Sequence, residues 1–303
     1  MTAPAVLWPT LLGVVYLLAG LVCYSRRGDR SGSTDASGLG TFGPVFVAAA
    51  LAAFAGEHFT AAASLAQIVP KWLPDPLFIA YFVGVAHLAA ATSFVARRYI
   101  RWSALCLFIM FALFVLLMDL PGAVAHPTVR IAWSLAARET TFAVGALALW
   151  LADAARRGSE SSPELTVIIR VWTAGVLLFY GMEHFIAPQF APGVPDVTPT
   201  AGWVPAPHVI AYTTGLLLMA LGVTMLVERY ASAAAAWAGA LMLLLTLALY
   251  VPQMFLAHTT GDGVLALNFV FDTMLFGGTL LVISRAIEPT QSMEAVAGAI
   301  AVS

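Results

Sequence analysis

Long apolar runs separated by short polar segments set the pattern of this chain. Nine windows of about 20 mainly apolar residues fall at 6–24, 42–62, 76–96, 102–121, 129–151, 165–187, 207–227, 232–254 and 263–284, the length a helix needs to cross the hydrocarbon core of a bilayer. Alanine, leucine and valine dominate these windows, without the alternation of apolar and polar positions that marks a membrane strand. A segment in lipid must satisfy its own backbone hydrogen bonds, which a helix does. The pattern predicts an all-α polytopic transmembrane bundle of about nine helices. Ser31 to Thr41, rich in Gly and Ser, reads as a flexible linker, and Gly158 to Glu164 as a short polar loop. The weakly apolar tail after Glu288 reads as frayed.

The polar positions repeat in order. Gly56-Glu57-His58-Phe59 returns as Met182-Glu183-His184-Phe185, and Trp72-Leu73-Pro74-Asp75-Pro76 as Trp203-Val204-Pro205-Ala206-Pro207. Ile79-Ala80-Tyr81 with Gly84 matches Ile210-Ala211-Tyr212 with Gly215. Ala125-His126 matches Ala257-His258, and Glu139-Thr140 with Gly145 matches Asp272-Thr273 with Gly278. Such self-similarity predicts two related units. Residues 1–41 form an N-terminal helix and linker, 42–157 a first four-helix unit, and 158–303 a second with a short tail. Four helices are an even number, so both units enter the membrane from the same side as parallel repeats. Equivalent residues then share one depth. Pro121 and Pro252, in matching late positions of the fourth and eighth windows, are expected to end or kink those helices.

Composition sharpens the assignment. Only 10% of the residues are charged and 61% are hydrophobic, where a soluble domain carries about 25% charged residues; water is the wrong solvent for this surface. Net charge is −2 and no basic run exceeds two residues, so no nucleic-acid partner is expected. Cys23 and Cys106 stand in separate apolar windows without metal or redox spacing, and read as small buried hydrophobes. If nine helices alternate, Arg26, Arg27, Arg30, Arg97, Arg98, Arg101, Arg156, Arg157, Arg170, Arg229 and Arg285 share one side, with Lys71 and Arg130 opposite. By the positive-inside rule the N-terminus lies outside and the C-terminus in the cytoplasm, in a bacterial-type inner membrane. The first window lacks a preceding basic region and reads as a retained helix.

Charged groups within spans are costly and therefore informative. Glu57, His58, Glu183 and His184 fall near the outer ends of the second and sixth windows. Asp119 ends the fourth, Arg138 and Glu139 lie in the outer part of the fifth, and Asp272 with Asn268 in the matching part of the ninth. Adjacent helical residues diverge by about 100°, so Glu57 and His58 are expected to face different neighbours. Arg138 is expected to pair with Glu57 or Asp119, leaving Glu139 near His58. Three readings stay open: ion pairs that fix helix register, a metal or haem site using His58 or His184 with the carboxylates, and a quinone or lipid-like ligand whose protons a histidine and a carboxylate handle. His87 stands alone in mid-span and reads as a core histidine. Tyr81 and Tyr212 read as interfacial anchors, and His126, His208 and His258 as solvated boundary residues.

The four-helix unit resembles DoxX-like membrane proteins. The resemblance rests on Gly56-Glu57-His58-Phe59, Val69-Pro70-Lys71-Trp72-Leu73-Pro74, a helix opening as Pro-x-x-Ile-Ala-Tyr-x-x-Gly, and Arg138-Glu139-Thr140-Thr141-Phe142. Val167 to Ile283 resembles a more diverged copy. Family members often carry a carboxylate where this chain has His87 and, in the second unit, Leu218. The resemblance implies an integral membrane subunit of an electron-transfer assembly, quinone-linked, that anchors a redox protein partner and is non-catalytic or only weakly catalytic on its own; an oligomer is left open. A transporter or small-ligand-binding protein using the cleft between the units, and a structural scaffold, are the alternatives. No glycine-rich nucleotide fingerprint, paired cysteines or haem-attachment motif is present, so no cofactor is evident in the chain itself.

Overall fold

The computed structural model describes residues 3–26, 37–158 and 162–288. Most of the Ser31–Thr41 linker with Arg27 and Arg30, the middle of the polar loop after Gly158, and the tail beyond Glu288 lie outside the described residues. Among the described residues nine helices are long and apolar enough to cross a membrane. They are α1 (Pro4–Arg26), α2 (Gly38–Thr60), α3 (Pro76–Ala96), α4 (Ile100–Ala125), α5 (Arg130–Arg156), α6 (Pro163–Ile186), α7 (Pro207–Leu226), α8 (Glu228–Phe255) and α9 (Thr260–Ala286). The chain is a multi-pass all-α bundle. The loops before α3 and α7 gather at one end, here the long-loop end; most of the arginines gather at the other, the arginine-rich end.

Local chemistry sets the boundaries. Proline at the first position opens α3, α6 and α7, where its missing N–H costs nothing. Asp75 (φ 43°) and Ala206 (φ 45°) precede two of these prolines in the same left-handed conformation, and Asp75 accepts a bond from the backbone N–H of Phe78. A reciprocal Thr259–Asp262 capping box starts α9. The linker ends earlier than expected: Ser37–Gly40 already forms a helical turn, offset from the rest of α2 by a turn at Thr41 and Phe42.

Pro121 and Pro252 do not end their helices. In α4 and α8 a wide π turn, Val115–Asp119 and Thr246–Tyr250, precedes the proline, and regular helix resumes at once. Proline lacks the N–H for the ladder and crowds the preceding turn; the widened turn makes room for it. Asp119 therefore lies within α4, six residues short of its end.

The packing has a centre. In the most apolar stretch of α9, 89% of residues are buried, against 17% in α4 and 22% in α1. Helix α9 packs on α2, α5 and α8, with α1 along its flank. Within the two halves the pairings correspond: α2 with α3 as α6 with α7, and α4 with α5 as α8 with α9. Between halves α9 meets α2, α5 meets α6, and the last helices of both halves, α5 and α9, meet each other. Lipid offers no hydrophobic drive for helix association, so close approach of small residues substitutes for it. A Cβ at Gly84 would come within 2.8 Å of His58 Cβ and 2.9 Å of the Phe59 ring; at Gly215 the same atoms of His184 and Phe185 stand at 2.8 and 3.0 Å. Cys106 faces outward rather than into the core, because a lipid-facing surface is as apolar as an interior and the sequence does not separate the two.

At the crossing of α2 and α9 the neighbours are backbone. A Cβ on Gly278 would meet Val47 N at 2.9 Å and Gly43 O at 3.1 Å, whereas one on Gly175 meets nothing within 4 Å. Gly278→Ala is expected to destabilise the detergent-purified protein by about 1–3 kcal/mol, the range for overpacking. Gly175→Ala should leave the melting temperature unchanged or raised. Thermal unfolding of both variants checks this; equal melting temperatures would refute the close-packed crossing.

Candidate functional site

The buried charges of the long-loop end converge on the contact between α5 and α9. Glu139 and Asp272, matched positions of the two halves, both bond one guanidinium: Arg138 Nη1 donates to Asp272 Oδ2 at 2.8 Å and Nη2 to Glu139 Oε1 at 3.4 Å. All three side chains are less than one quarter exposed. Asp119 lies within electrostatic range of Arg138 and Glu139, and Glu57 within range of Asp272. The expected partners of Arg138 are thus corrected. Helix α9 packs against both α2 and α5, so Asp272 reaches the guanidinium, and Glu57 instead accepts from Asn268 Nδ2 at 3.4 Å.

Glu183 has a separate partner. Arg130, at the first turn of α5, donates to Glu183 Oε2 at 2.5 Å and to the carbonyl of Asp196 at 2.6 Å. The first-helix glutamate of each half is therefore bound by the last helix of the other half: Glu57 by α9, Glu183 by α5. Sequence reading missed Arg130 as a site residue. Its signal was available, as one of two cations at an end crowded with carboxylates.

His58 and His184 begin alike and then diverge. Nδ1 of each sits against the carbonyl four residues back, Phe54 at 2.8 Å and Tyr180 at 2.6 Å. The loop after α6 folds into the bundle, burying residues 191–195. There the backbone N–H of Gly193, at φ 105°, donates to His184 Nε2 at 2.8 Å. Nε2 accepts, so Nδ1 carries the proton, and the ring is neutral with both nitrogens engaged. Tyr250 hydrogen-bonds the Pro192 carbonyl of the same loop. Irregular backbone at this depth survives only where protein surrounds it. His58 instead faces His87, their rings edge to face at 5.4 Å, and neither nitrogen of His87 has a hydrogen-bond partner among the described residues. His58 leaves Glu139 to Arg138, contrary to the pairing expected from sequence. Glu57 and His58 do face different neighbours.

Towards the arginine-rich end the chemistry stops at an aromatic layer. His87, Phe111, Phe142, Phe276 and Tyr180 follow one another across α3, α4, α5, α9 and α6 at centroid spacings of 5.5 to 6.3 Å. Tyr180 is fully buried and bonds the Ser134 carbonyl. Among the described residues no group of three or more His, Cys, Asp or Glu is placed to hold a metal ion. His126, His208 and His258 are exposed. Two buried polar atoms of the acid–arginine cluster lack hydrogen-bond partners among the described residues: the acceptor Asp119 Oδ2 and the donor Arg138 Nε. Buried polar atoms are nearly always partnered, so these two atoms are where the cluster has bonding capacity left.

No protein-family model, curated protein or solved structure matches this chain.

Removing one partner from a buried ion pair costs about 3–5 kcal/mol. Arg138→Met is expected to lose most folded protein in detergent, since Asp272 and Glu139 are left without a cation. Adding Asp272→Asn should recover part of the loss, while adding Glu57→Gln should recover none. Yield and melting temperature of the single and double variants decide; recovery by Glu57→Gln instead would return Arg138 to Glu57.

Proposed function

We propose that this chain is a DoxX-like integral membrane subunit of a quinone-linked electron-transfer assembly. It sits in a bacterial-type inner membrane with the N-terminus outside and the C-terminus cytoplasmic, and it anchors a redox protein partner. The observation that carries the reading is the open donor and open acceptor in one buried cluster, Arg138 Nε and Asp119 Oδ2. A quinone carbonyl accepts and a quinol hydroxyl donates, so the two forms need both kinds of partner. Asp119, Glu139, Asp272 and Glu57 supply carboxyl groups that pass protons among themselves around a fixed guanidinium. The electrons come from the partner, which carries the redox cofactor.

The aromatic layer favours this reading over a transport path, because charge does not continue through it. The junction of the two halves is also filled: a Cβ on Gly43 would meet Val282 N at 2.7 Å. The ordered bond from Arg130 to Glu183 belongs to the scaffold rather than to the ligand site.

Affinity purification from native membranes in mild detergent, followed by mass spectrometry and quinone extraction, tests the proposal. A stoichiometric redox protein and retained quinone are expected. Asp119→Asn should lose at least about tenfold of the quinone, roughly one hydrogen bond to a charged group, while the partner stays. A chain that purifies alone and quinone-free would end this reading. Orientation has its own check: a green fluorescent protein fused at the C-terminus should fluoresce and alkaline phosphatase there should be inactive. The reverse result would invert the topology.

A further inference from the structure

His58 on α2 and His87 on α3 stand apart from the acid–arginine cluster, and their nitrogens are not used up. His58 Nδ1 donates to the Phe54 carbonyl at 2.8 Å, and Nε2 of the neutral ring then presents a lone pair. His87 is 4% exposed, and neither of its nitrogens has a hydrogen-bond partner among the described residues. A neutral imidazole always keeps one nitrogen without a proton, so each ring has a lone pair to give. We propose that His58 and His87 together bind one Cu(I) ion, independently of any quinone or redox partner.

The spacing suits a shared ion. Two imidazoles that hold one metal at about 2.0 Å, at angles from tetrahedral to trigonal, set their ring centroids about 5.1–5.5 Å apart. Here the centroids are 5.4 Å apart and the ring planes meet at 77°. Because no hydrogen bond ties its nitrogens, the His87 ring is free to aim one of them at the common point by turning about its Cβ–Cγ bond, a torsion with a broad range. His58 already has the orientation typical of a metal ligand, with its other nitrogen donating to a backbone carbonyl.

The second half shows the same place completed without an ion. His184 Nδ1 makes the matching bond to the Tyr180 carbonyl, and the Gly193 N–H fills Nε2 at 2.8 Å. The position that matches His87 is Leu218, which is fully buried. One half thus meets its histidine with a peptide group and an apolar neighbour, and the other supplies a second histidine in place of both.

Ligand number and charge identify the ion. Among the described residues no group of three or more His, Cys, Asp or Glu is placed to hold a metal, whereas zinc takes at least three protein ligands. Cu(I) is satisfied by as few as two, and imidazole suits copper. The cost of burying an ion rises with the square of its charge, so two neutral ligands in apolar surroundings favour a monovalent cation. The other rings packed on His87 are Phe54 and Phe111, at 6.3 and 6.1 Å; aromatic faces attract a cation. His58 is partly exposed and leaves the ion a way in.

Titration of the full chain in detergent under argon, with Cu(I) held by a competing chelator, tests the site, together with X-ray absorption at the copper edge and thermal unfolding. One Cu(I) per chain is expected, with nitrogen neighbours at about 2 Å and a raised melting temperature, while Zn(II) should not bind. His87→Leu installs the side chain that the second half carries at Leu218, so it should fold as well as the unaltered chain. It should weaken Cu(I) binding by at least about a hundredfold, the upper range for disturbing even an outer-sphere contact, and lose the thermal shift. His58→Gln should weaken binding as much, and His126→Gln, at an exposed histidine, not at all. If His58→Gln does not fold, His87→Leu carries the comparison alone. No Cu(I) uptake, or equal uptake by His87→Leu, would overturn the site. Zn(II) bound as tightly would overturn the assignment to a monovalent ion.

Discussion

Helix α9 is enclosed by protein while the helices around it face lipid, and the bundle depends on how that enclosure is achieved. Between helices already in lipid, burying another leucine gains little, because the hydrocarbon it leaves is equally apolar. What remains is contact distance and polar pairing. Gly278, Gly277 and Gly43 bring backbones together with no side chain between them; a Cβ on Gly277 would meet Gly239 O at 3.1 Å. Where α5 meets α9, a Cβ on Gly145 would clash with the Thr279 side chain, and two turns along both helices Arg138 reaches Asp272 directly. The cluster is thus a product of the small-residue packing beneath it. A wider spacing would leave a guanidinium and two carboxylates facing hydrocarbon, which is where their cost is greatest.

Much of this was legible in the sequence. The apolar windows located all nine helices, erring mainly at the ends, where polar residues extend α5 to Arg156 and open α8 at Glu228. Rarity of charge singled out Glu57, Asp119, Arg138, Glu139, Glu183 and Asp272, since lipid leaves few reasons to keep such residues. Their partners were not legible. Pairing depends on which helix stands between which others, and α9 between α2 and α5 is a fact of packing order. The fold of residues 191–195 into the bundle was equally hidden, because proline-rich sequence reads as a surface connection until Gly193 and Pro192 are seen bonded to His184 and Tyr250.

The two halves correspond in helix pairing and in the placing of their π turns, and differ in what fills the matching places. His58 and His184 sit against equivalent glycines at the same distance. In the second half a loop occupies His184 and Tyr250 stands where the first half has Asp119. In the first half His58 meets His87, and one Asp119 oxygen has no partner among the described residues. One half is therefore filled by its own loop, while the buried atoms of His87, Asp119 and Arg138 without partners among the described residues lie in the first half and at the seam. The resemblance to DoxX-like proteins was also read most clearly there.

The π turns in α4 and α8 bear on how the chain tolerates change in length. Each wide turn holds one more residue than a regular turn would, and one residue corresponds to about 100° of rotation about the helix axis. Almost anywhere else in these helices, losing a residue would rotate the following segment out of phase with the side chains it packs against. Within Val115–Asp119 or Thr246–Tyr250, the loss would restore regular hydrogen bonding and turn only the short stretch beyond, six residues in α4 and five in α8. The helices thus carry a register joint near one end, where a shift of phase re-aims Asp119 and Tyr250 while the rest of the bundle keeps its contacts.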